Sequence, residues 1–115
     1  QVDKEMISVV MQNLVENAIK YSFEKSSITI NLEEDIIKKG IIISVQNNGI
    51  GIKKEDQAKI FNKFFRAPNA IAKENIGSGL GLFTSKNIVE KHGGKIWFES
   101  EENVGTTFFV FLPLS

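Results

Sequence analysis

The sequence predicts an α+β fold, a two-layer sandwich in which helices pack on one face of a mostly antiparallel sheet. An amphipathic helical pattern opens the chain, strand-like segments come as two separate pairs, and shorter helical patterns lie between the pairs. Strands that come as hairpin pairs separated by helices favour antiparallel pairing with the helices on one side. At 115 residues the chain has the size of a single domain, 1–115, with one core.

Composition excludes several classes of function. Basic and acidic residues balance at 14 each, so the basic excess of a general nucleic-acid binder is missing. With no cysteine there is no disulfide framework and no cysteine zinc site. No apolar run approaches the ~20 residues of a membrane span. Because the first residues already have a helical pattern, we expect the chain to be a fragment of a longer protein.

The opening helix is predicted from an N-cap at Asp3, with apolar residues recurring at helical spacing up to Ile19. Asn13 and Asn17 are one turn apart and flank the apolar stripe. Asparagine has poor helix propensity, so the pair does not serve the helix itself. It is either a chance pair on a solvated edge or part of a site.

The first strand pair follows. Ile28, Ile30 and Leu32 alternate with polar residues, which predicts a half-buried strand. After a polar turn, residues 41–46 predict a buried strand that runs back beside it. A glycine cluster at 47–52 comes directly afterwards, where glycine permits a sharp turn and a close approach of another group.

The second half alternates helices and a long loop. A short helix of two or three turns is predicted around residues 54–61. Residues 62–79 predict a flexible lid, the alternative being a disordered insertion. A helix over about 80–91 ends at His92 with the two glycines that follow it. Strands at 96–98 and 106–112 close the chain.

The chemistry-bearing residues are asparagine, lysine and glycine. No glycine-rich Walker loop is present and no Ser-His-Asp set can be built. Residues 77–82 open a helix, where free N–H groups and the helix dipole favour a phosphate. The oxygen of Asn17 could bind Mg²⁺ alongside phosphate oxygens, and Lys20 and Arg66 could face the phosphates. The strand end at Asn47, with Ile52, could hold a flat base.

The segments resemble those of one family in order and spacing. Residues 12–22 resemble the N box, 47–52 the G1 box, 61–66 the F box and 77–82 the G2 box of the ATP-binding catalytic domain of sensor histidine kinases. Residues 92–97 and 105–108 match its closing segment. The wider family includes the gyrase, Hsp90 and MutL ATPases and has the Bergerat-type ATP-binding fold. The resemblance covers nearly the whole chain.

The resemblance implies roles for individual residues. Asn17 would hold the Mg²⁺ that bridges the phosphates of ATP, and Asn17 and Lys20 would form the catalytic set. Thr106 would support the adenine edge, and Arg66 would come from the lid. The nucleotide-binding residues would be Asn13, Tyr21, Asn47, Gly49, Gly51, Ile52, Arg66, Gly77, Gly79, Leu80, Gly81, Leu82 and Thr106. Of these glycines, Gly49 and Gly51 would let the backbone close on the adenine, and the later ones would let the lid and helix start reach the phosphates.

The resemblance also implies partners. The domain would present the γ-phosphate of ATP to a histidine on the dimerisation domain of the same kinase, and so serve a response regulator indirectly. No nucleic acid and no membrane contact are implied for this fragment. It would belong to the cytoplasmic portion of a bacterial sensor kinase.

Two departures from the family pattern bear on these expectations. The family has Asp where this chain has Asn47, and the loss of charge assistance to the adenine amino group would cost about 1–2 kcal/mol. A flipped amide would also discriminate ATP from GTP less sharply. The family domain begins earlier, with a strand pair, so the sheet is expected to be trimmed at its N-terminal side. The alternatives are a pseudokinase that works by contacts and another ATPase of the wider family, such as an anti-sigma kinase.

Overall fold

The computed structural model describes residues 3–63, 65, 68 and 81–113. Within these residues the four strands form one antiparallel sheet in the order β1-β2-β4-β3, which confirms the predicted sandwich. None of the described helices is long and apolar enough to cross a lipid bilayer. In chain order the elements are α1 (Lys4–Lys20), β1 (Thr29–Asp35), β2 (Gly40–Asn48), a 3₁₀ helix (Lys54–Lys59), α2 (Gly81–Lys91), β3 (Lys95–Glu101) and β4 (Gly105–Pro113).

The core lies between the two α-helices and one face of the sheet. Val10 and Leu14 of α1 and Val89 of α2 are buried against Val45 of β2 and Val110 of β4. The α1 residues recur at four-residue spacing and the strand residues at alternate positions, as each element's geometry requires. The helices therefore cover one face of the sheet at β2, β3 and β4.

Helix α1 begins where its sequence predicts, and it ends at Lys20. The Asp3 carboxylate accepts the backbone N–H groups of Glu5 at 3.0 Å and Met6 at 3.3 Å, which confirms Asp3 as the N-cap. At the other end the Tyr21 N–H donates to the Asn17 carbonyl. The polar flank of α1, defined as Asn13, Asn17, Lys20 and Tyr21, thus lies on its last two turns.

The prediction that β1 is half-buried is wrong, although its alternation is present. Ile30 and Leu32 lie opposite Val45 and Ile43, so they share the helix-covered face of the sheet. Yet Ile30 is 53% exposed and Leu32 65% exposed, because α1 packs against β2 and α2 against β3 and β4. We call Ile30, Leu32 and the exposed turn residues Ile36 and Ile37 the β1 stripe.

Several boundaries also differ from the predictions. β2 continues through Asn47 and Asn48, because both pair with the start of β4, so Asn47 lies within a strand rather than after it. The predicted short helix is a 3₁₀ helix that ends at Lys59, before Ile60 and Phe61. Most of the predicted lid, 62–79, lies outside the described residues.

Candidate functional site

The polar flank of α1 meets the first turn of α2. Asn13 Nδ2 donates to the Gly81 carbonyl at 3.3 Å and to Ser85 Oγ at 3.2 Å, and Ser85 is completely buried. Both donor hydrogens of Asn13 can therefore be used within the protein, and its carbonyl oxygen is the group left for a ligand. The contact joins two of the segments that the sequence assigned to one site.

Asn17, Lys20 and Tyr21 continue this flank toward the end of α1. Asn17 and Tyr21 are half-buried and Lys20 is exposed. Within the described part of the chain, no group of three or more His, Cys, Asp or Glu side chains could hold a metal ion. An Mg²⁺ at Asn17 would thus need phosphate oxygens and water as its other ligands, an arrangement common for nucleotide-bound magnesium.

The buried side chain of Asn47 links α1 to β4 by two hydrogen bonds. Its Nδ2 donates to the Ala18 carbonyl at 3.1 Å, and its Oδ1 accepts the Thr106 N–H at 2.9 Å. The side chain is 6% exposed. The expectation that this amide can flip is wrong, because a flipped amide would face the Thr106 N–H with its own N–H and the Ala18 carbonyl with its own oxygen.

Gly49 and Gly51 lie in close contact with the backbone of other segments, at positions where a side chain would not fit. A Cβ at Gly49 would lie 2.0 Å from the Tyr21 carbonyl oxygen, and one at Gly51 would lie 2.2 Å from the Glu101 carbonyl oxygen. Gly51 also has a φ of 69°, which other residues rarely adopt. In this structure the two glycines allow residues 49–51 to pack between the end of α1 and the turn that joins β3 to β4. Their contact with adenine stays a prediction.

A hydrogen-bond network behind Thr106 involves two residues that the sequence analysis missed. Ser100 Oγ accepts the Ile52 N–H at 2.8 Å, donates to the Gly105 carbonyl at 3.1 Å and lies 2.7 Å from Thr106 Oγ1. Gln57 Nε2 donates to the Ile52 carbonyl at 3.1 Å. Ser100 could have been found, because it is the polar residue at the core-facing position that follows two apolar ones, at 96 and 98.

The segment after the 3₁₀ helix packs onto the sheet and α2. The Phe61 ring centroid lies 6.0 Å from that of Phe98 and 6.4 Å from that of Phe108. Lys86 Nζ on α2 lies 5.4 Å from the Phe61 ring centroid, a cation–π contact. Phe61 therefore extends the core, and it anchors the chain ahead of the predicted lid.

The remaining predicted site residues divide into two groups. Gly81 and Leu82 form the first turn of α2, with Gly81 exposed and Leu82 packed against the core. Arg66, Gly77, Gly79 and Leu80 lie outside the described residues.

Comparison with known proteins identifies the family. The chain matches the histidine kinase-, DNA gyrase B- and HSP90-like ATPase family over residues 2–115, and it belongs to that family. It is 39% identical over 113 residues to the sensor histidine kinase WalK of Bacillus subtilis, covering 98% of this chain and 18% of the relative. It is 42% identical over 112 residues to the sensor protein RprX of Bacteroides fragilis, covering 97% of this chain and 22% of the relative. The chain thus spans about a fifth of the length of these relatives.

Solved structures agree with the sequence relatives. The nucleotide-free catalytic domain of the histidine kinase ThkA superposes with a TM-score of 0.81 at 37% identity, covering 97% of this chain and 69% of that one. The mycobacterial sensor histidine kinase MprB gives a TM-score of 0.85 at 28% identity, covering 96% and 74%. The fold of this chain is that of a histidine kinase catalytic domain.

Proposed function

We propose that this chain is the ATP-binding catalytic domain of a sensor histidine kinase, which binds Mg-ATP between the polar flank of α1 and the start of α2. The observation that carries the proposal is the contact of Asn13 with Gly81 and Ser85. It brings a helix start, where N–H groups favour phosphate, against the flank that bears Asn17 and Lys20.

We call the space between the polar flank of α1 and the start of α2 the proposed groove, and each element that borders it has a distinct role. The first turn of α2 and the Lys20 ammonium bind the phosphates, and the Asn17 oxygen contributes to Mg²⁺ binding. A bound Mg²⁺ would neutralise charge on the phosphates. Phosphoryl transfer depends mainly on positioning and electrostatic stabilisation, so a domain that holds the γ-phosphate in place supplies most of what the reaction needs.

The acceptor is a histidine outside this chain. His92 is already engaged at both ring nitrogens, since Nδ1 donates to the Ile88 carbonyl at 2.7 Å and Nε2 accepts the Asp3 N–H at 3.1 Å. The acceptor would lie on the dimerisation domain of the same kinase, and its nitrogen would attack the γ-phosphorus as ADP leaves. A response regulator would receive the phosphoryl group later. The chain would work in the cytoplasmic portion of a bacterial sensor kinase.

Two measurements test this function. Calorimetry with Mg-ADP and a non-hydrolysable ATP analogue measures binding, and phosphorylation of a supplied dimerisation domain measures catalysis. We expect Asn17→Ala to weaken Mg²⁺-dependent binding by about tenfold or more. Asn31→Ala is the matched control, because it removes the same amide from an exposed position on β1.

The outcomes separate binding from catalysis. Undetectable nucleotide binding at millimolar ligand would overturn the site. Binding without any phosphorylation of the dimerisation domain, under every nucleotide condition, would overturn the kinase assignment and favour a domain that works by contacts alone.

A further inference from the structure

We propose that two copies of this chain pair through the outer face of the sheet, with Lys95 of each copy against Glu33 of the other. The outer face is the side of the sheet opposite the α-helices. Two observations support this pairing: large apolar side chains at the centre of the face, and opposite charges at the two ends of one row that crosses it. The pairing does not depend on the proposed function.

Four large apolar side chains lie at the centre of the outer face. Side chains alternate between the two faces along each strand, and Val45 and Val110 point into the core, so the outer positions include 42, 97, 109 and 111. Both α-helices pack against the other face, as does Phe61 beyond the 3₁₀ helix. Because none of the described helices covers the outer face, polar residues would be expected there. A tryptophan, two phenylalanines and an isoleucine instead favour a surface that binds another protein.

These apolar residues are half-buried by neighbours on the same face. The rings of Trp97 and Phe109 stack with centroids 5.3 Å apart and planes 10° apart. Lys38 Nζ lies 6.0 Å from the Phe111 ring centroid, a cation–π contact. Such cross-strand contacts stabilise the sheet within a single copy, and that role alone is the alternative to an interface. The charges around these residues favour the interface.

Rows of side chains cross the outer face, because the registers of the three strand pairs are continuous. From β3 to β1 the first row holds Lys95, Phe111, Ile42 and Glu33, the second holds Trp97, Phe109, Ser44 and Asn31, and the third holds Glu99, Thr107, Gln46 and Thr29. The first row is therefore basic at one end, apolar in the middle and acidic at the other end. A surface of this kind is complementary to a copy of itself that is turned over.

A two-fold axis parallel to the strands and midway between β2 and β4 produces that arrangement. It sets each row against the same row of the second copy in reverse order. Lys95 then faces Glu33 at both ends of the first row, and Phe111 faces Ile42 between them. In the third row the remaining charge faces a threonine, so like charges do not meet within the three rows. Packed sheets lie about 10 Å apart, a gap that a lysine and a glutamate side chain can bridge together. One patch thus serves both copies, as in isologous dimers.

The size of the patch predicts a weak dimer. With strands about 4.8 Å apart and alternate residues about 7 Å apart, three rows on four strands cover roughly 300–400 Å² per copy. A standard interface buries about 800 Å² per partner. We expect a dissociation constant of about 0.1–1 mM, with the exposed charge pairs contributing more to specificity than to affinity.

Sedimentation equilibrium of the 115-residue chain, from about 20 µM to 2 mM, tests the pairing. The average mass should rise with concentration from 12.9 kDa toward twice that value. Trp97 is the only tryptophan and lies on the outer face, so its fluorescence should change over the same range. A mass of 12.9 kDa throughout would overturn the pairing, and so would association without any change in Trp97 fluorescence.

Charge exchange tests which residues meet. Lys95→Glu and Glu33→Lys should each weaken self-association by about tenfold, because both contacts then join like charges. A 1:1 mixture of the two variants should associate about as strongly as the unaltered chain, since both contacts of the mixed pair join opposite charges. Lys91→Glu is the matched control, because it makes the same change of charge at an exposed position on α2. A mixture that associates as weakly as the separate variants, or an equal effect of Lys91→Glu, would overturn the pairing.

Leu32→Lys separates this pairing from association through the β1 stripe. Leu32 lies on the same face of the sheet as the helices, so its replacement should leave the dissociation constant of the dimer unchanged. Salt should weaken the contact of Lys95 with Glu33 by screening, so the average mass at a fixed concentration should fall with ionic strength. Loss of association in Leu32→Lys, or association that increases with salt, would overturn the pairing and identify the β1 edge as the contact.

Discussion

The amide of Asn13 on α1 donates to the hydroxyl of Ser85 on α2 across 3.2 Å, at a point where Ser85 is completely buried. Residues 72 positions apart in the chain thus fix the spacing of the two helices at the proposed groove. A buried polar pair in this place contributes to stability and also sets the geometry of the proposed site.

We expect Asn13→Ala to lower the free energy of unfolding by about 1–2 kcal/mol, because the Ser85 hydroxyl and the Gly81 carbonyl lose their donor. A double-mutant cycle with Ser85→Ala, followed by denaturant unfolding, should give a coupling energy of about 0.5–1.5 kcal/mol. Gln12→Ala, on the exposed side of the same helix, serves as the control. Additive effects of the two substitutions would show that the bond contributes nothing.

Two glycines should respond in opposite ways to the same substitution. Gly49→Ala puts a Cβ 2.0 Å from the Tyr21 carbonyl oxygen, and we expect a loss of about 2 kcal/mol or more, or failure to fold. Gly81→Ala meets its nearest atom, Asn13 Cγ, at 3.8 Å, and alanine favours a helix, so stability should hold or rise by up to about 1 kcal/mol.

The Gly81 variant also separates structure from binding. If a phosphate approaches this helix start, Gly81→Ala should weaken nucleotide binding while leaving the thermal unfolding temperature unchanged or raised. Unchanged affinity in a stable variant would remove Gly81 from the proposed site.

Asn47 should contribute to stability even without nucleotide. Asn47→Ala leaves the Ala18 carbonyl and the Thr106 N–H without partners in a buried place, and we expect a loss of about 2–4 kcal/mol. Gln46→Ala changes an exposed neighbour on the opposite face of β2 and should cost less than about 0.5 kcal/mol. Similar unfolding curves for the two variants would show that the two hydrogen bonds of Asn47 do not stabilise the fold.

His92 should stabilise the fold by linking the end of α2 to the start of α1. Because its ring links the C-terminal turn of α2 to the Asp3 N–H, His92→Ala is expected to cost about 1–2 kcal/mol in denaturant unfolding. Lys91→Ala, at the exposed preceding residue, provides the comparison. Incubation with labelled ATP and a dimerisation domain should leave His92 unlabelled. Label on this residue would contradict a purely structural role for His92.

Sequence patterns predicted the elements whose causes are local. The Asp3 cap, the apolar spacing of α1 and the two strand pairs depend on neighbours along the chain, and all are present. The burial of β1 was not predictable from its alternation, because Ile30 and Leu32 are exposed where none of the described helices covers them, which is a property of the assembled fold. Periodicity records which face a residue takes and not whether anything covers that face.

For the candidate site, too, the sequence predicted local features but not the contacts between distant elements. The resemblance selected Asn13 and Asn47, but it could not show that each is bonded to a distant element, since those bonds form only after the helices and the sheet come together. Gly49 was expected to make room for a ligand, and in the structure it makes room for the Tyr21 carbonyl. Ser100 and Gln57 carried only a weak local pattern, and their contacts with Ile52 arise from tertiary pairing.

The β1 stripe has a practical consequence for the purified chain. β1 is an edge strand of the described sheet, and it presents apolar side chains beside an outer edge that pairs with no described strand, a combination that promotes intermolecular strand addition. Glu33, Glu34 and Asp35 on the same strand oppose this association by charge repulsion, which salt screens. Concentrated samples should therefore remain dispersed longest in buffers of low ionic strength, and replacing Leu32 with lysine should extend their shelf life.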